Sequence, residues 1–273
     1  MKKNYFGLFS ILIALFFCIA IYAQDAVNLQ YKFTKGKTYT YKGESSTRIT
    51  QTMMGREVKV NTSTKNQVSL KVENVKSNGD ASLIFSIDSI QVKTSKMGQE
   101  TSPDLGFLLG KRLEMNFSKL GKLINFTEMD TVDDESRYIA IEQEAKHFLT
   151  TLPDNEVKIG GNWNSTQVDT MNMMGGDLVS DVDIVYTLAG KGEKLGHDCF
   201  KINYKANLKI NGQGTNFTMD GTGTSNGEVY LDSNTGMPVY TKSNVDTKMN
   251  MEAQSMKIPM IQSTVSEKSL IGD

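Results

Sequence analysis

The chain has 273 residues, with 30 Lys and Arg against 31 Asp and Glu, a net charge of −1. A near-neutral chain without a polybasic run argues against nucleic acid as partner and against an anionic membrane surface. Only Cys18 and Cys199 are available, and the first lies in the apolar leader, so no disulfide can form within the mature chain.

Lys2 and Lys3 precede an apolar run from Tyr5 to Ile21 that ends at Tyr22-Ala23-Gln24. This order of positive, apolar and small-residue segments predicts a signal peptide over 1–23, cut after Ala23. The position before Cys18 is Phe17, where a lipobox wants a small residue. The expected product is an exported chain in the periplasm or outside the cell, not integral to the membrane. Loss of Lys2 and Lys3 leaves 28 basic against 31 acidic residues, net −3. Residues 24–273 are expected to form one β-rich domain, held together by its core.

Alternation with a period of two begins at Tyr39, Tyr41, Gly43 and Ser45, turns near Met54-Gly55, and resumes through Val58, Val60, Thr62, Val68, Leu70 and Val72. That pattern predicts a long hairpin. Asn78-Gly79-Asp80 leads to a third strand, Ala81 to Thr94, with a change of phase between Ile87 and Ile90. Leu113 to Phe117 and Leu123 to Thr127 form a shorter pair around Gly121.

Next comes the one stretch with helical period. Tyr138, Ile141, Ala145, Phe148 and Leu152 recur at steps of three and four, Asp133, Asp134 and Glu135 lie at its start, and Pro153 follows. This predicts an amphipathic helix over about 132–152. The β pattern then restarts at Lys158 to Trp163, turns at Met173-Met174-Gly175, and continues through Val182 to Leu188, Phe200 to Ile210 and Val229 to Val239. Met237, Val239, Thr241, Val245, Thr247, Met249 and Met251 share one face of the next strand, and Met256 to Leu270 forms the last.

The landmarks suggest an internal repeat, about 36–127 and 160–240, linked by the helix. The expected fold is mainly β (α+β): a large curved antiparallel sheet, or open barrel, from two β repeats with one long crossing helix. A sandwich of two sheets is the second choice.

Leu152-Pro153-Asp154 with Val157 to Trp163, and Phe33 to Tyr39, resemble an uncharacterised domain-of-unknown-function family of exported Bacteroidota-type proteins. The resemblance carries no catalytic residues. The order of strands around a crossing helix also resembles the periplasmic lipoprotein-carrier half-barrel, which implies shelter for acyl chains.

Candidate chemistry is sparse. His147 and His197 are the only histidines, and adjacent His197, Asp198 and Cys199 alternate in direction along a strand, so they do not converge by spacing. No glycine-rich phosphate loop or EF-hand spacing occurs. The reading is a protein without catalytic residues, metal or cofactor. The unusual feature is methionine, 15 residues in all. An adaptable lining for an apolar or lipid-like ligand is expected at Tyr138, Ile141, Ala145, Phe148, Leu152, Met249 and Met251. Thioether binding of Cu(I) is a side possibility. The alternative function is a structural or protein-interaction module of the cell envelope, with Met53, Met54, Met173 and Met174 as a contact patch for an envelope protein.

Overall fold

The structure is a computed structural model that describes residues 26–53, 55–130, 142–173, 176–253 and 256–273. The expected leader and its cleavage site lie outside these residues, as do Met54, Tyr138, Ile141 and Met174.

Twelve strands follow in order: β1 (Thr38–Met53), β2 (Arg56–Val75), β3 (Ala81–Lys96), β4 (Gln99–Thr101), β5 (Arg112–Phe117), β6 (Leu123–Glu128), β7 (Asn162–Met173), β8 (Gly176–Lys194), β9 (His197–Gly214), β10 (Phe217–Asp232), β11 (Pro238–Ala253) and β12 (Met256–Gly272). All belong to one antiparallel sheet of order β6-β5-β3-β2-β1-β12-β11-β10-β9-β8-β7, with the short β4 also on β3. β1 and β12 meet in the middle, and among the described residues β6 and β7 end the path without pairing to each other, so the sheet is not closed. A single sheet also replaces the two-sheet alternative.

The expected change of phase in β3 is a bulge. Val68 pairs with Ile87 and Gln67 with Ser89, which leaves Asp88 as the extra residue, held by the Ser69 hydroxyl at 2.6 Å. The bulge keeps Ile90 and Val92 on the face of Phe85 and Ile87, although their odd spacing from Ile87 would put them on the opposite face of a regular strand.

Burial divides every long strand. Near one end, here called the base, Tyr39, Tyr41, Leu70, Val72, Leu83, Phe85, Met115, Phe117, Leu188, Ile202 and Val239 are buried. They come from both wings of the sheet yet form one core cluster, so the sheet curves around a shared interior. Each such large apolar side chain contributes about 1.5–3 kcal/mol on burial. The extended segment before β1 laces the base together. Tyr31 N–H donates to Lys119 O and Lys32 N–H to Thr235 O, joining turns from the two wings.

Among the described residues there is no long crossing helix: residues 131–141 lie outside them, and of 142–152 only 142–146 is helical. The Phe148 N–H already bonds Ala145 O at the tighter i−3 spacing. Beyond it, tertiary partners take the backbone groups that a helix would need. The Tyr31 hydroxyl donates to Thr150 O, the Trp163 indole to Thr151 O, and Leu152 N–H donates to Leu120 O. Phe148, Leu149 and Leu152 are buried all the same, by an irregular chain. Gly121 makes this seat possible: its φ is +76°, and a Cβ there would lie 2.4 Å from Thr150 O and 2.6 Å from the Tyr31 ring.

Candidate functional site: the inner face and the open edge

The face that carries the core at the base continues toward the opposite, hairpin-tip end, and its register can be read strand by strand. Nearest the tips, Met219, Met251 and Ile258 are cross-strand neighbours on β10, β11 and β12. In the next row Gly221, Met249 and Met260 align, followed by Gln51 and Val58 on β1 and β2. On the β9 side, Ile210 opposes Gly221, and Gly212 lies between Met219 and Leu178. Directly opposed side chains in such ladders stand about 5 Å apart at Cβ. Ile210 and Ile258 are buried, and Met219, Met249, Met251 and Met260 are half-buried. The result is an apolar band of Met, Ile, Leu and Val.

Between band and base lies a small polar waist. Gly223, Thr247 and Gln262 form its upper row, then Ser225, Val245, Thr264 and Thr47, then Gly227, Ser243, Ser266 and Ser45. Thr47 and Thr264 hydroxyls are 3.0 Å apart, and those of Ser243 and Ser266 2.6 Å. The Thr247 hydroxyl, at the border with the methionine band, is buried and has no partner among the described residues. Trp163 stacks on Tyr186 with ring centres 5.4 Å apart, and Tyr186 meets Tyr204 at 6.1 Å. Tyr204 lies against Gly227, where a Cβ would come within 2.7 Å of its ring.

The residues expected to line one ligand site are therefore split. Ala145, Phe148 and Leu152 are filled core at the base. The Phe148 ring meets Tyr41 edge-on at 4.9 Å and Phe85 at 6.0 Å, with the Lys268 ammonium 4.1 Å above it. Met249 and Met251 belong to the band. Met249 is eight residues along β11 from Thr241, the partner of Lys268, roughly 26 Å at strand rise. The polar waist that separates the two groups was not anticipated from the sequence. Its signal was present in the alternating Ser, Thr and Gly of β1, β10 and β12. Met53 is exposed at the end of β1, beside Met256, in a pocket of about 280 Å³ that also touches Ile258 and Pro259. Met173 ends β7 on a different hairpin.

A groove of about 1100 Å³ runs along the opening of the sheet between β6 and β7. Residues 121–126 form one wall, 162–170 the other, and the linker around Leu149 and 151–157 the floor. Its two lining lysines are each held by a carboxylate, Lys122 by Asp154 at 3.4 Å and Lys146 by Glu142, and His147 Nε2 lies 2.9 Å from Asp169 Oδ1.

Cys199 is buried, and burial pushes its thiol up to about 11. The His197 ring is engaged by Asp232, with Nδ1 3.2 Å from Oδ2. Among the described residues no three His, Cys, Asp or Glu stand close enough to hold a metal. Among the same residues no helix is long and apolar enough to cross a membrane.

Residues 138–238 match a family of unknown function, DUF6263. No curated protein matches the chain. The fold resembles a structure described as lipid–protein interactions in lipovitellin, at TM-score 0.54 and 12% identity, covering 88% of this chain and 25% of that one. The chain thus spans a quarter of the length of that lipovitellin chain. The OccK5 (OpdH) structure from Pseudomonas aeruginosa aligns at TM-score 0.25 and 8% identity, over 86% of this chain and 99% of that one. The translocator domain of the autotransporter NalP from Neisseria meningitidis aligns at 0.23 and 12%, over 96% and 94%. These last two scores establish no shared fold.

Proposed function

We propose that this is an exported, non-enzymatic protein that holds an apolar or lipid-like ligand on the inner face of its open sheet. The observation that carries the reading is the half-buried band of Met219, Met249, Met251, Met260, Ile210 and Ile258. A single-layer sheet gains nothing from apolar side chains on a face that no element covers, unless something else covers them. Flexible thioethers suit chains of varied shape. The Thr247 hydroxyl, without a partner among the described residues, offers one hydrogen bond to the polar end of an amphiphile. The likeness to a lipovitellin sheet, a protein whose described structure concerns lipid contacts, supports the same reading.

Native mass spectrometry of mature protein purified from its own envelope without delipidation tests it. An adduct of lipid mass is expected, and it should be lost when Met219, Met249, Met251 and Met260 are replaced by Ser. A bare chain mass from the gently prepared protein sinks the proposal.

A further inference from the structure

We propose that the gap between β6 and β7 receives one extended segment of a partner polypeptide, which pairs with both edges and closes the sheet. The first argument is parity. The path from β6 to β7 contains eleven strands, each antiparallel to the next. An odd number leaves the two edge strands running the same way, so they cannot pair antiparallel with each other. One added strand of opposite direction is antiparallel to both, and twelve is an even number that closes without conflict.

The second argument is that β7 has few of the devices that protect an edge. Its twelve residues, Asn-Trp-Asn-Ser-Thr-Gln-Val-Asp-Thr-Met-Asn-Met, contain no Pro and no Lys. Its register with β8 runs without a bulge from Asn162 to Met173. Val168 on this strand is 67% exposed, and Ile124 on β6 is 52% exposed. The one charged residue of β7 is Asp169, which lies against His147 at 2.9 Å. Long, regular edges with so little charge invite another strand.

The third argument concerns what fits. The groove is about 1100 Å³, within the reach of a short extended peptide, and six residues alongside β6 would span roughly 20 Å. Its lysines are already paired with Asp154 and Glu142, and its further acidic lining residues are Glu156 and Asp169, so it does not suit an anionic headgroup. An uncharged peptide backbone is the complementary occupant, bound through ladder hydrogen bonds in the manner of strand addition.

The test uses the full mature chain and a displayed library of ten-residue peptides free of Pro and of charged residues. The tightest binder is then synthesised with and without N-methyl groups at alternate residues. Hydrogen exchange should slow in both 123–128 and 162–170 when the plain peptide is present. N-methylation should weaken binding by about tenfold or more, since it removes ladder donors. A library without binders, protection confined to one edge, or affinity indifferent to N-methylation overturns the proposal. So does self-association through β7 in sedimentation. None of these results bears on the methionine band, whose ligand is read from lipid mass alone.

Discussion

Cys199 shows how burial decides the chemistry of a single side chain. It sits on the core side of β9, its sulfur 3.3 Å from His197 O, and burial with nearby Asp232 raises its thiol. The thiolate is the reactive form, so alkylation of the native chain at pH 8 should run on the order of 100-fold slower than in urea. A comparable rate in both states, followed by mass spectrometry, contradicts the buried placement. Asp232 illustrates the opposite outcome. Burial alone would raise its pKa, but Thr235 N–H at 2.7 Å, the Thr235 hydroxyl at 2.9 Å, Asn234 N–H at 3.0 Å and His197 together hold it below the usual range. A lowered native pKa means that the stabilisation is complete above the ordinary carboxylate value and is lost as pH falls through the native one. Asp232→Asn should therefore flatten the acid limb of stability against pH. It should also cost about 1–3 kcal/mol at pH 7 in urea titration.

At the scale of elements, the linker between the wings is set by tertiary bonds. Its carbonyls at Thr150 and Thr151 are claimed by Tyr31 and Trp163, and Glu144 accepts from Asn66 at 3.0 Å and pairs with Lys268 at 3.0 Å. Tyr31→Phe keeps the stacking on Phe33 but leaves Thr150 O unpaired, and should cost about 1–3 kcal/mol. Phe148→Ala empties a site shared with Tyr41 and Phe85 and should cost about 3–5 kcal/mol. Urea midpoints measure both, and an unchanged midpoint for Phe148→Ala would mean that the ring is not part of the core. The same linker explains where sequence reading stopped. The strands were legible because alternation is a local signal, and even the Asp88 bulge left its trace in the shifted phase of Ile87 and Ile90. The helical spacing of Ala145, Phe148 and Leu152 was equally visible, yet apolar residues three and four apart only permit a helix. The competing bonds come from Tyr31, Leu120 and Trp163, and nothing near Leu152 in the sequence announces them. Met249 and Met251 could be placed on one face from their spacing. Their rows with Met219 and Met260 depend on register between strands, which spacing within one strand does not give.

At the scale of the whole molecule, the sheet is three zones along its strands: packed base, small polar waist, methionine band. Replacing Met219, Met249, Met251 and Met260 by Leu keeps the band apolar, and lipid adducts should persist, whereas a thioether metal site would be lost with the sulfurs. Measuring lipid mass and Cu(I) affinity on the same variant separates the two. One further property follows from β1 lying against β12. Neighbours elsewhere along the path are near in sequence and can zip as hairpins. At the centre, Thr47 reaches Thr264 across 217 residues. Closing so long a loop carries the largest entropy cost in the sheet, and non-local pairing of this kind slows folding. The middle of the finished sheet is thus its final seam. While the protein is being made, each wing can assemble from its own hairpins, but both keep a raw inner edge until the last strand arrives.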